Sequence, residues 1–146
     1  MGGIKTARVN YTGGMRFTAE AGSGHQLVMD TPTDEGGASG GFSPMELPLV
    51  ALAGCMGMDV VSILRKQRQD LTGYDVAVRG ERADQHPKVF VRVTVEHTFT
   101  GHGLRRDMVE RAIELSRTRY CSVSAMLAPT VDITHHVTLV EGDAPA

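Results

Sequence analysis

The sequence predicts an α+β fold in which antiparallel sheets surround one long buried helix. Three observations carry that expectation. Short runs of alternating apolar and polar residues lie on both sides of the middle of the chain. Between them, residues 43–70 (SPMELPLVALAGCMGMDVVSILRKQRQD) form the longest apolar stretch in the sequence. The helical period returns only towards the C-terminal end, so strands and helices are segregated, which argues against a doubly wound parallel sheet.

Each element follows from its own residues. Residues 5–11 (KTARVNY) and 15–20 (MRFTAE) alternate around Thr12-Gly13-Gly14, the pattern of a tight hairpin. Residues 25–29 add a third strand, making a small meander. Residues 30–41 (DTPTDEGGASGG) hold four glycines and a proline, and read as a flexible loop ahead of the central helix. In that helix Ser43 can cap, Pro44 suits the first position and Glu46 completes a capping box. From Leu47 to Leu64 apolar residues occupy every face, so the helix should be enclosed on most sides, and Arg65, Lys66 and Arg68 mark its solvated end.

Beyond it, residues 74–83 (YDVAVRGERA) place Tyr74, Val76 and Val78 on one face. Residues 88–100 (KVFVRVTVEHTFT) place Val89, Val91, Val93 and Val95 together with Phe90 opposite, and residues 84–87 form the hairpin loop. Residues 104–120 read as an amphipathic helix, residues 122–127 as a short one ended by Pro129, and residues 131–140 as a last strand. The length of 146 residues suits a single domain, residues 1–146, with no repeat or linker. A sheet of about six strands and one amphipathic helix cannot cover an all-round apolar helix, which points to an intertwined homodimer.

Composition narrows the function. The net charge is −2 with scattered basic residues, which gives no footprint for nucleic acid. Two cysteines are too few for a disulfide scaffold and too far apart for a CxxC site. No charged-then-apolar leader opens the chain, and Pro48, Asp59, Gly54 and Gly57 inside the apolar run argue for a core helix over a membrane span. MGGIKT fits the loose myristoylation pattern, a short motif matched often by chance. A cytoplasmic protein without membrane contact is expected. No cofactor is expected either: the glycine-rich loop lacks the Lys-Ser/Thr or G-x-G-x-x-G of phosphate cradles. No metal is expected, because adjacent His135 and His136 point to opposite faces of a strand.

The segments SPMELPLVALAGCMGMDVVSIL and RYCSVSAML, in the order βββ-α-ββ-α-β, resemble the OsmC/Ohr superfamily of thiol-dependent peroxidases and their relatives over essentially the whole chain. The resemblance implies an obligate intertwined homodimer in which the first cysteine attacks a hydroperoxide and the second resolves it. Organic hydroperoxide would be the substrate and an external dithiol the reductant. On that pattern Cys55 is the nucleophile, since a thiolate is needed to cleave the O–O bond, while buried cysteines also serve as small hydrophobes. Cys121 is the resolving thiol. Arg16 is the candidate activating cation, with Arg8 as competitor. Glu46 caps the helix and can also orient an arginine. The family's peroxidases carry Glu directly after the proline, whereas this chain carries Met45. That departure keeps a second reading open: a non-enzymatic module holding a hydrophobic molecule or sensing oxidation. Asp59, one turn after Cys55, would raise a thiol pKa and finds no role in the sequence alone.

Overall fold

The computed structural model describes residues 2–146. It divides between Pro48 and Leu49 into two compact units, and the boundary falls in the first turn of the central helix.

The first unit is a meander of β1 (Ala7–Gly13), β2 (Arg16–Ala21) and β3 (Gln26–Met29), paired antiparallel in that order. Its first turn needs the two glycines, since Gly13 and Gly14 have φ of 117° and 57°, where a side chain is strained. The Tyr11 hydroxyl closes that turn on the Gly14 carbonyl at 3.0 Å. The loop after β3 is more ordered than its composition suggests. Asp30 is buried there and its carboxylate accepts from the backbone N–H groups of Thr31 at 2.8 Å, Gly40 at 3.0 Å and Ala38 at 3.3 Å. One carboxylate thus replaces the strand partners the glycine-rich segment lacks. A turn at Pro44–Glu46 comes next, with the Ser43 N–H donating to Glu46 Oε1 at 2.7 Å.

The central helix α1 (Leu47–Lys66) leads into a second sheet of β4 (Asp70–Arg82), β5 (Phe90–His102) and β6 (Asp132–Glu141), in that spatial order. There are therefore two three-stranded sheets in place of one sheet of about six strands. The second is mixed: β4 and β5 form an antiparallel hairpin, but β6 runs parallel to β5. The parallel pair arises because α2 (Arg106–Leu115) and α3 (Ser122–Leu127) separate the two strands and return the chain to the same end of the sheet.

The expected face assignment on β5 also changes. A bulge sets Glu81 opposite Arg92 but Arg82 opposite Phe90, leaving Val91 as the extra residue. Phe90 is thereby turned to the same side as Val93 and Val95, and all three are buried, whereas Val89 and Val91 are exposed. Gly80 makes room for it: a Cβ there would meet the Phe90 ring at 2.6 Å and Leu49 at 3.1 Å.

On α1, Leu52, Met56, Val60 and Leu64 are buried completely, a stripe repeating every fourth residue. Gly57 faces β4, where a Cβ would make ordinary contact with Val76 at 3.8 Å and with Tyr74 at 3.9 Å. The other apolar faces are not enclosed within the chain; Val50 is 52% and Met58 76% exposed. Length and composition of Pro44–Lys66 would suffice to cross a membrane. The enclosed stripe and its contacts with β4 instead make α1 a helix packed in protein.

Beneath it runs a polar chain. The Tyr74 hydroxyl lies 2.6 Å from His97 Nδ1, and His97 Nε2 lies 3.0 Å from His135 Nδ1. Phe99 stacks on Tyr74 at 4.2 Å. Burial pulls both imidazoles down to about 4, with the neighbouring His135 adding to the effect at His97 and Arg117 adding to it at His135. Between pH 6.5 and 4 the unfolded chain therefore takes up protons that the folded chain refuses, and stability decreases as pH falls. Urea unfolding should show a midpoint that is flat above pH 7 and drops from 6.5 towards 4, with a shallower drop in His97→Gln. In the same assay Phe99→Ala should cost about 3–5 kcal/mol.

Candidate active site

Three side chains of the second unit converge. The Sγ atoms of Cys55 and Cys121 and a carboxylate oxygen of Asp59 all lie within 4.8 Å of one another. Cys55 and Asp59 are one helical turn apart on α1, on the flank of its buried stripe, where i and i+4 side chains are neighbours.

Cys121 reaches them through an irregular turn. The sequence predicts a continuous helix to Tyr120, but α2 ends at Leu115 and Ser116–Tyr120 winds as a π turn, with the Cys121 N–H donating to the Ser116 carbonyl at 2.8 Å. The extra residue per turn rotates Cys121 and α3 relative to the helix before them, and such turns recur at functional sites. The Thr118 hydroxyl supports the turn by donating to the Glu114 carbonyl at 2.6 Å. Cys121 then caps α3, its sulfur accepting the Ser124 N–H at 3.3 Å. Ser116 is itself fully buried and donates its hydroxyl to Asp59 Oδ2 at 2.9 Å. That bond ties the end of α2 to the middle of α1 and gives Asp59 a defined partner.

The two thiols differ. Cys121 is 2% exposed, and Cys55 is only half-buried. Burial pushes the Cys121 thiol up to about 11, and proximity to Cys55 adds to the rise. Both cysteines are free thiols. A cleft of about 360 Å³, lined by Asp59, Ser62, Ile63, Leu115 and Tyr120 among others, opens on the Asp59 side of the cluster. A larger apolar groove of about 700 Å³ lies on another face of α1, lined by Gly57, Met58, Val61, Arg65, Tyr74 and Val76 among others.

The remaining candidates lie in the first unit. Arg16 opens β2 and its ionic partner is Asp30, Nε to Oδ2 at 4.0 Å. The backbone N–H groups of Gly40 and Thr31 hold the Asp30 carboxyl below its usual range, with Arg16 contributing less. Glu46 directs its carboxylate to the Ser43 N–H, and Arg8 is exposed on β1. Sequence reading missed Ser116 and Asp30; a serine in line with Val109 and Ile113 on the apolar side of an amphipathic helix is the signal that could have flagged the former.

Residues 36–136 match the family model for OsmC-like protein. The chain belongs to the OsmC-like family. It is 40% identical over 134 residues to Protein YhfA of Escherichia coli strain K12, a match covering 92% of this chain and 97% of YhfA. Among solved structures, a hypothetical protein from Aquifex aeolicus VF5 aligns at a TM-score of 0.85 and 26% identity, over 97% of this chain and 99% of that one. An organic hydroperoxide resistance protein OsmC from Legionella pneumophila aligns at a TM-score of 0.72 and 20% identity, over 92% and 96% of the two chains, a likeness of fold. The α+β architecture with a long central helix is that of OsmC-like proteins.

Cys55, being more open and less hindered by burial, should alkylate first. At pH 8, iodoacetamide labelling followed by peptide mapping should modify Cys55 at least about tenfold faster than Cys121.

Proposed function

We propose that this OsmC-like protein is a thiol-dependent peroxidase that reduces organic hydroperoxides in the cytoplasm as a defence against oxidative stress. The observation that carries the reading is the approach of Cys55 and Cys121, far apart in sequence, to within 4.8 Å of each other. Closing a disulfide brings two sulfurs to about 2 Å, and χ1 rotation of both cysteines moves their sulfurs towards each other from here.

The Cys55 thiolate attacks one peroxide oxygen. The O–O bond breaks, the sulfur becomes sulfenic acid and the leaving alkoxide takes a proton to become an alcohol. The Cys121 sulfur then attacks the Cys55 sulfur, its proton leaves with the hydroxyl as water, and a disulfide forms. An external dithiol returns the two electrons. The difference between the thiols suits this division. Cys121 stays protonated beside Cys55, so the pair avoids two adjacent negative charges, and the more open sulfur meets the peroxide first.

Arg16 serves as the activating cation in this reading. Its carboxylate partner is Asp30, where the family's peroxidases use the residue that is Met45 here. The active form is a homodimer. Its support is the apolar surface left uncovered on both units: Val9, Tyr11 and Phe42 in the first, Val50 and Met58 on α1.

A second reading, a module that binds a hydrophobic molecule without turnover, draws on the groove beside Met58 and on Met45. Cys55 is absent from the residues lining that groove. The two readings separate on one experiment. Reduced protein given one equivalent of an alkyl hydroperoxide should lose two thiols per chain and yield a Cys55–Cys121 crosslinked peptide. Cys121→Ser should accumulate sulfenic acid that dimedone traps, and Cys55→Ser should lose at least about a hundredfold in peroxide consumption. Turnover retained in Cys55→Ser, or two thiols surviving peroxide unchanged, defeats the peroxidase reading. Sedimentation at micromolar concentration should give twice the chain mass, and Met58→Glu should shift it towards monomer.

A further inference from the structure

Asp59 is the residue that thiol chemistry leaves without a task. One of its carboxylate oxygens stands within 4.8 Å of both sulfurs. The fold holds it there through the hydroxyl of a completely buried serine. A carboxylate beside two sulfurs and oriented by a buried partner is the arrangement of a ligand and its supporting hydrogen bond.

We propose that the reduced protein binds one thiophilic divalent cation of the zinc class per chain, through Cys55 Sγ, Cys121 Sγ and the carboxylate of Asp59. Two sulfurs and one oxygen suit a borderline-soft ion, and three protein ligands leave a fourth position for water. The distances fit. Tetrahedral zinc with Zn–S near 2.3 Å separates two sulfurs by about 3.8 Å and a sulfur from an oxygen by about 3.5 Å. From separations of at most 4.8 Å the two sulfurs need to close by about 1 Å or less and each sulfur and the oxygen by about 1.3 Å or less, within the reach of χ rotation. Cys55 and Asp59 come from one face of a rigid helix, and Cys121 is fixed by the π turn and the capping bond from Ser124. Ser116 supplies the outer hydrogen bond. The cleft lined by Asp59 and Tyr120 gives the ion and its water a path from solvent.

The balance is simple. Both thiols give their protons to solvent, and the ion keeps its charge of two with no electron transferred. Because both sulfurs are engaged, the loaded site is closed to oxidants and the metal-free site is open. Binding itself does not rest on the peroxidase reading, because it is measured with no peroxide present.

The test is a titration of cadmium chloride, and in parallel zinc chloride, into the full-length, reduced, chelator-stripped protein. One cadmium per chain should bind, with an ultraviolet sulfur-to-metal charge-transfer band that saturates at one equivalent and with two protons released. Zinc should compete it away and protect both thiols from alkylation. Cys55→Ser and Cys121→Ser should each lose about a hundredfold or more in affinity, Asp59→Asn about tenfold to a hundredfold, and Ser116→Ala about tenfold. The disulfide form of the wild-type chain, a comparator with every residue in place, should not bind. Circular dichroism of each variant distinguishes a lost ligand from a lost fold, and Asp59→Glu should recover part of the affinity lost in Asp59→Asn. Binding that persists in the disulfide form, affinity unchanged in a folded Asp59→Asn, or no charge-transfer band at several equivalents overturns the proposal. Failure here leaves peroxide-driven thiol loss intact, and failure of thiol loss leaves cadmium binding intact.

Discussion

Burial of the Leu52, Met56, Val60 and Leu64 stripe fixes the rotation of α1, and most of what the second unit does depends on that rotation. A helix apolar on every side has no preferred face by composition alone. Here α1 meets the second sheet through Gly57, which faces Tyr74 and Val76, and through Leu49, which packs at Gly80. Once the stripe is down, Cys55 and Asp59 stand on its flank and Met58 faces out. The chemistry of the chain is a by-product of which side of α1 went inward.

A second constraint works at longer range. Ser116 and Asp59 are 57 residues apart, and their hydrogen bond joins the helix after the β4–β5 hairpin to the helix before it. The π turn begins at the same serine. Its side chain thus anchors α1 while its carbonyl accepts the Cys121 N–H, so that one residue sets the position of both the carboxylate and the second sulfur. Replacing the turn by regular helix would present a different side of residue 121 to α1.

Much of this architecture is readable in the sequence because it is local. S-P-M-E announces the start of the central helix, Thr12-Gly13-Gly14 announces the hairpin, and valines at every second position announce β4 and β5. What escapes is non-local or rests on one residue. Val91 looks like any other alternating valine, and only its placement opposite β4 makes it a bulge that turns Phe90 inward. The glycines of residues 36–41 suggest freedom, but a single upstream carboxylate organises them. Likewise the family resemblance brings Cys55 and Cys121 into one argument, whereas Asp59 and Ser116 become partners only when α1 and α2 are seen together.

The parallel pairing of β6 with β5 has a consequence for how the chain is made. An antiparallel hairpin such as β4–β5 forms from neighbouring residues, but a parallel partner must wait for the whole crossover, and loop-closure entropy makes such contacts slow to form. His97 and His135 meet across that pair, 38 residues apart. The β4–β5 hairpin precedes β6 in the chain and pairs without it. Until β6 docks, His97 lacks its His135 partner, and that contact reports the completion of the second sheet.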